Sequence, residues 1–304
     1  MSASIISENR SKMPTTTQLN FIQPSLHGTP TTIKITDARN TSKTLDTNGF
    51  QLHPHTTSLT TNDFYNDDTV TTTYYNELIT TVKELTGAAK VLPIIHSIRN
   101  AQANFAFNPK GKSSSNAQAN RGTTTQLAEY VPLVHCDNSF AQGESMMTNI
   151  LHRTNETMDH TKHRYQIINV WRNIRKEPIS QFNHPLAVLD VTTMDVENDF
   201  LLTKSDLPKL KKNQPYHKWF WYSDMTKDEI LCFTRWDSRG KAQDDIVDEK
   251  GKILSCHGLP GDSRGVSTFH SAWCNPNPLT NYLDNFVVPG RESCDTLLVL
   301  VFDL

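Results

Sequence analysis

The chain has 304 residues, with 30 Lys+Arg against 32 Asp+Glu and a formal charge of -2. That balance excludes a general polyanion binder, which needs a basic excess or a basic stripe to neutralise phosphates; the single dense basic run, Lys209 to Lys212, reads as a solvated loop. Hydrophobic residues make up 36%, low for a globular protein but enough at this length for a large core, and no stretch approaches the roughly 20 consecutive apolar residues that span a bilayer.

The N-terminal segment lacks the apolar centre of a secretory signal. Five cysteines, odd in number and never spaced C-x-x-C, suggest neither a disulfide framework nor a thiolate zinc site. A reducing, cytoplasmic setting is expected, in which the glycosylation triplets at Asn9, Asn40 and Asn155 carry no meaning.

Residues 1–30 are polar and Pro/Thr-rich and are expected to form a flexible arm, followed by a single domain over 31–304 that opens with a strand at Thr31 to Thr36. Tyr75, Leu78, Ile79, Val82 and Leu85 recur at helical spacing, which predicts a helix over Tyr74 to Leu85 capped by Gly87. Ala101 to Thr125 mixes Asn, Gln, Ser, Gly and Lys without periodicity and reads as a long loop of the kind that forms lids.

From Val131 onward the pattern is of short strands: Val131 to His135, Tyr165 to Ile174, Leu186 to Val191, Lys218 to Tyr222, Ile230 to Trp236, Thr268 to Trp273 and Thr296 to Phe302. Turn signals separate them, among them Asn183 to Pro185 and Asp237 to Gly240. Many short strands with one confident helix predict a mainly β fold with helical decoration, a barrel or double-sheet jelly roll.

One local feature carries chemistry. His135 and Asp137, one residue apart at the end of an apolar strand, can converge on a single ion where the backbone bends. Two imidazoles and one carboxylate on one face of an octahedron leave three positions open, the arrangement of non-haem iron oxygenases. His270, in the strand-like stretch Thr268 to Trp273, is the candidate third ligand, because jelly-roll strands adjacent in space are distant in sequence. Arg291 and Ser293, spaced by two before the last apolar strand, share a strand face. A guanidinium with a hydroxyl suits a small carboxylate such as the distal end of 2-oxoglutarate. Arg172, after Trp171 in an otherwise apolar strand, must be paired if buried; a structural ion pair and a cosubstrate or substrate contact are both open to it. Cys136 is turned away from the ion by strand alternation, and the tryptophans are expected in the core.

The order His-x-Asp, His, Arg-x-Ser resembles the fungal hydroxylase/desaturase family that includes gibberellin desaturase and cephem-methoxylase-chain-like proteins, among the Fe(II)/2-oxoglutarate-dependent oxygenases. The resemblance runs through Asn48 to Gln51, Leu85 to Ala88, His135 to Asp137, Asn169 to Arg172, Asp224 to Thr226, His270 to Ala272 and Arg291 to Ser293. It implies a double-stranded β-helix, cupin-like in its sheets, and Fe(II) held by His135, Asp137 and His270. It further implies 2-oxoglutarate anchored by Arg291 and Ser293, and dioxygen as the other cosubstrate. The family's second arginine, six residues on, is Leu297 here.

The expected activity is hydrogen abstraction from an unactivated C–H bond of a small molecule, ending in hydroxylation, desaturation or oxidative cyclisation, in fungal specialised metabolism. Neither nucleic acid nor membrane is expected as a partner, and the sequence specifies no oligomeric state. The alternative is a non-catalytic or zinc-loaded cupin-like binding protein. His53-x-His55 and the group Asp159, His160 and His163 could bind zinc but sit in polar surroundings that favour a solvated reading. Gly261-x-Ser263-x-Gly265 matches a hydrolase elbow, yet no apolar strand precedes it, so it reads as a loop over the site.

Overall fold

The computed structural model describes residues 16–22, 28–100, 127–128, 130–181, 183–195, 198–201, 209–210, 212–240, 267–273 and 291–304. The long Ala101 to Thr125 segment and the Gly261 to Gly265 elbow lie outside them.

Two sheets carry the fold. The larger contains β3 (Phe50–Pro54), β4 (Lys90–Asn100), β5 (Leu127–Ala128), β6 (His163–Asn173), β11 (Glu229–Asp237) and β13 (Glu292–Asp303), in the order β3-β11-β6-β13-β4-β5. The smaller contains β1 (Thr16–Ile22), β2 (Gly28–Asp37), β7 (Leu186–Leu189), β10 (Trp219–Trp221) and β12 (His270–Ala272), in the order β1-β2-β10-β7-β12. A two-residue pair, β8 (Phe200–Leu201) with β9 (Lys209–Leu210), stands apart.

The central strands are β6 and β13, paired antiparallel from Ser293 opposite Asn173 to Asp303 opposite His163. Every residue of β6 from Tyr165 to Asn173 is buried, as expected of a strand covered on both faces. Alternation then sorts its side chains. Trp171 packs between the sheets with Phe50, Leu231 and Phe233 of the large sheet and Leu186, Val188 and Phe220 of the small one. Ile168 and Val170 face the other way, onto Leu78 and Val82 of helix α1 (Tyr75–Thr86). That helix ends as its sequence requires: Gly87 adopts φ 72, the left-handed conformation of a C-cap.

A second helix, α2 (Phe140–Arg153), closes one end of the sandwich with Met147, Ile150 and Leu151 against Tyr165, Ile167, Trp236 and Val299. It starts with a capping box, in which the Ser139 hydroxyl accepts from the Gln142 amide and the Gln142 side chain accepts from the Ser139 amide. Gly143 lets the helix lie on the Trp236 indole, because a Cβ there would fall 2.3 Å from two ring atoms.

The structure departs from the sequence expectation in several places. Thr16–Ile22, inside the expected flexible arm, pairs as β1 with β2 and buries Leu19. The predicted strand Val131 to His135 is reduced to a bridge from His135 to His270 and a hydrogen bond from the Ala272 amide to the Val131 carbonyl. Strands β3 and β4 and helix α2 had no counterpart. Among the described residues, no helix is long and apolar enough to cross a membrane.

Candidate active site

His135 leaves its strand-like segment beside β12, where its amide and carbonyl pair with the carbonyl and amide of His270 at 3.1 and 2.9 Å. This antiparallel bridge brings two side chains 135 positions apart in the chain into ring contact, with centroids 4.3 Å apart. Asp137 follows after the chain turns toward α2. Ligand atoms of His135, Asp137 and His270 lie within 4.8 Å of one another, the one such group of three among the described residues.

Both imidazoles are oriented by the backbone. The Nδ1–H of His135 donates to the Leu133 carbonyl at 2.6 Å and that of His270 to the Thr268 carbonyl at 3.0 Å. A carbonyl can only accept, so each ring carries a proton on Nδ1, which leaves Nε2 as the ring atom available to a ligand. Metal-binding histidines are held in this way. Burial, with His270 alongside, pushes the His135 pKa down to about 4, which keeps that ring neutral near pH 7. Burial works against the charge on Asp137, but His270, Arg235 and His135 outweigh it and hold the carboxyl below its ordinary range. Asn169 donates to Asp137 Oδ2 at 2.9 Å, and Arg235 approaches the same oxygen at 3.5 Å while also donating to Asn138. Two imidazole nitrogens and one fixed anionic oxygen suit a divalent cation that favours mixed nitrogen and oxygen ligands.

A pocket opens from the triad between the sheets. It is lined by His135, His270, Trp171, Phe233, Arg291 and Leu186, with Val131, Ala272, Arg99 and Asp295 completing the wall. Arg291 is 4% exposed, and burial pushes its pKa down to about 10, with Asp295 offsetting only part of the effect. Its Nη1 donates to the His184 carbonyl at 2.7 Å, while its Nε has no partner. The Ser293 hydroxyl, two residues on, is also buried and unpartnered. A buried guanidinium without a full set of acceptors is costly unless an anion completes it. Those donors fit a small carboxylate.

Arg172 is the exception among the sequence candidates. Alternation sends it to the opposite face of β6 from Trp171, where it is 0% exposed and sits over the Tyr74 ring. Its Nη2 donates to the His55 carbonyl at 2.7 Å and contacts the His55 ring. It therefore stands behind the pocket wall and does not line the pocket, although its Nε and Nη1 are also buried without partners. The same pairing removes His53-x-His55 as a metal site; likewise His163 pairs with Asp303, and His160 packs against Tyr165. Cys136 is buried on the side away from the triad, with Val134, Phe269 and Trp273. Leu297, where the family places its second arginine, is buried in the core under α2.

The sequence reading missed five residues at the site. Asn169 was legible, since it shares the Trp171 face by the period of two. Asp295 was legible in the same way, two residues past Ser293; Arg99 was not, because β4 had not been recognised. Arg235 emerges at a bulge between Thr234 and Trp236, where register cannot be read from spacing. Trp171, expected in the core, is buried and also lines the pocket.

Comparison with known proteins agrees with this geometry. A family model described as an oxidoreductase/YMDC permease-like domain matches residues 6–249. The hydroxylase/desaturase efuI of Hormonema carpetanum is 30% identical over 215 residues, covering 64% of this chain and 67% of that protein. The gibberellin cluster GA4 desaturase of Gibberella fujikuroi is 26% identical over 299 residues, covering 76% of this chain and 82% of that protein. Among solved structures, the iron and alpha-ketoglutarate-dependent endoperoxidase NvfI superposes with a TM-score of 0.61 at 20% identity, covering 95% of this chain and 98% of that one. That likeness establishes the jelly-roll fold. The chain belongs to the family so matched, as one of the fungal hydroxylase/desaturases among the Fe(II)/2-oxoglutarate-dependent oxygenases.

Proposed function

We propose that this protein is an Fe(II)- and 2-oxoglutarate-dependent oxygenase that takes hydrogen from an unactivated C–H bond of a small molecule in fungal specialised metabolism. The observation that carries the reading is the joining of two groups in one pocket. One is a triad of two imidazoles and a carboxylate; the other is a buried arginine with an orphaned donor. A metal-only binding protein has no use for the second.

In this reading His135, Asp137 and His270 would hold the iron through two imidazole nitrogens and a carboxylate oxygen, too few protein ligands to fill its sphere. Asn169 keeps Asp137 Oδ2 turned toward the metal, and the Leu133 and Thr268 carbonyls fix the ring tautomers. Arg291, through its unpartnered Nε, and Ser293, through its hydroxyl, anchor the distal carboxylate of the cosubstrate. Bound iron with 2-oxoglutarate and dioxygen supplies an oxidant able to abstract a hydrogen atom, with succinate and carbon dioxide as coproducts. Trp171, Phe233 and Leu186 keep water from that centre and give the substrate an apolar bed. Hydroxylation, desaturation or ring closure then follows from how the substrate's C–H bonds lie against the centre, and the names of the relatives span the first two.

Among the described residues Cys136, Cys232 and Cys294 are buried free thiols, which supports a reducing, cytoplasmic setting. The direct test adds Fe(II) and then 2-oxoglutarate to the metal-free protein without oxygen. A metal-to-ligand charge-transfer band should appear in wild type and vanish in His270→Ala. A band that survives that substitution defeats the assigned triad.

A further inference from the structure

Arg291 is enclosed on three sides. The His184 carbonyl takes its Nη1, and the guanidinium centre stands 5.5 Å from the Tyr130 ring and 5.5 Å from the Trp171 ring. Of these neighbours His184 is the unexpected one. Its φ of 53 places a branched-chain-free but bulky non-glycine residue in the left-handed region. That conformation is strained for an L-residue. The residue also precedes Pro185, where extended backbone is favoured. Glycine would make the same turn without strain.

What histidine adds is its ring, which stacks on Tyr130 with centroids 4.1 Å apart and planes 18° from parallel. Its Nδ1 is buried there without a hydrogen-bond partner. Two costs, strain and an unsatisfied nitrogen, are thus borne at one residue. Their joint product is a fixed carbonyl and a fixed aromatic pair against Arg291. The contact also spans the fold, because His184 leads into β7 of the small sheet and Arg291 into β13 of the large one.

We infer that His184 and Tyr130 are positioning residues for the cosubstrate: the carbonyl of one and the stacked rings of both fix the rotation of Arg291, so that its Nε edge meets the distal carboxylate. This rests on the reading that Arg291 binds that carboxylate. A flexible guanidinium pays rotamer freedom on binding, and one locked beforehand does not.

The test is an anaerobic titration of the Fe(II)-loaded enzyme with 2-oxoglutarate, following the charge-transfer band, in wild type, His184→Gly, Tyr130→Ala, Tyr130→Phe and Arg291→Ala. His184→Gly keeps the turn and removes the ring, so the fold survives. His184→Gly and Tyr130→Ala should each weaken cosubstrate binding about tenfold. Tyr130→Phe, which keeps the stacked ring, should stay within about twofold of wild type. Fe(II) affinity should be unchanged in all three, and in His184→Gly and Tyr130→Ala KM for 2-oxoglutarate should rise while kcat for succinate formation holds. Wild-type affinity in both His184→Gly and Tyr130→Ala, with Arg291→Ala weakened, overturns the positioning role and leaves the function standing. Equal loss of Fe(II) and cosubstrate binding overturns it too, as general loosening. An Arg291→Ala enzyme that binds 2-oxoglutarate normally removes the carboxylate reading itself and this inference with it.

Discussion

Replacing Arg291 by methionine should move stability and cosubstrate affinity in opposite directions. Methionine fills similar volume without the charge. The lowering of the Arg291 pKa from 12.5 to about 10 corresponds, at about 1.36 kcal/mol per tenfold, to roughly 3 kcal/mol against the charged form in the fold. Losing the hydrogen bond to the His184 carbonyl gives back about 1 kcal/mol. A net gain of about 2 kcal/mol in the metal-free, cosubstrate-free protein follows, which at roughly 2 °C per kcal/mol for a chain of this length raises Tm by about 4 °C. The sign agrees with linkage. The unfolded chain binds the proton more tightly than the folded one, so the charged arginine destabilises the fold at every pH below about 10, and removing it relieves that. Truncating one partner of a buried charge pair costs about 2–5 kcal/mol, so affinity for 2-oxoglutarate should fall between about thirtyfold and several thousandfold. Thermal melts with and without cosubstrate, beside an anaerobic band titration, measure both. A variant that melts lower than wild type and binds 2-oxoglutarate equally well refutes the view of Arg291 as an unsatisfied cation awaiting an anion.

Asn169→Leu removes the donor that holds Asp137 Oδ2, and Fe(II) affinity measured by competition with a chelator should drop about tenfold to a hundredfold; unchanged affinity would show that Asp137 needs no such support. Gly143→Ala places a methyl against the Trp236 indole and should destabilise by about 1–3 kcal/mol in denaturant unfolding. Gly87→Ala has open space around it and should cost only the left-handed backbone penalty, about 1 kcal/mol. The His135 and His55 rings have folded-state pKa values near 4, below the ordinary 6.5, so the unfolded state takes up protons first. Stability of the metal-free protein should therefore fall as pH drops from 6.5 to 4, with a shallower slope in His135→Gln; a flat profile across that window contradicts their burial as neutral rings.

The parts of the site that were legible in the sequence are those whose side chains obey a period. His135 and Asp137 flank a Cys136 that points away from them, Arg291 and Ser293 are spaced by two, and β13 carries the unbroken apolar run Leu297 to Phe302. Where the period breaks, reading fails. Pro93 interrupts β4, and the structure absorbs it at a register shift in which Leu297 pairs with Ile95 and Leu298 with Pro93. The strand hidden by that bulge carries Arg99 into the pocket. Gly143 obscured α2 in the same way: it is a poor helix former, retained because only a hydrogen fits against Trp236. Arg172 stays open in the sequence for the converse reason. A charge in an apolar strand had to be paired, but the face it occupies depends on which neighbour, Trp171 or Val170, points toward the other sheet, and both are apolar. No local signal pointed to His184, whose role depends on a turn conformation and on a stacking partner 54 positions away.

The central claim is that His135, Asp137 and His270 hold one iron. Crystals grown without oxygen in the presence of Fe(II), with diffraction collected on both sides of the iron absorption edge, address it directly. A single anomalous peak should stand about 2.0–2.2 Å from Nε2 of His135, Nε2 of His270 and one Asp137 oxygen, with Arg291 across the same pocket. A peak held by other residues, or none at the triad while iron is bound elsewhere in the chain, would contradict the account.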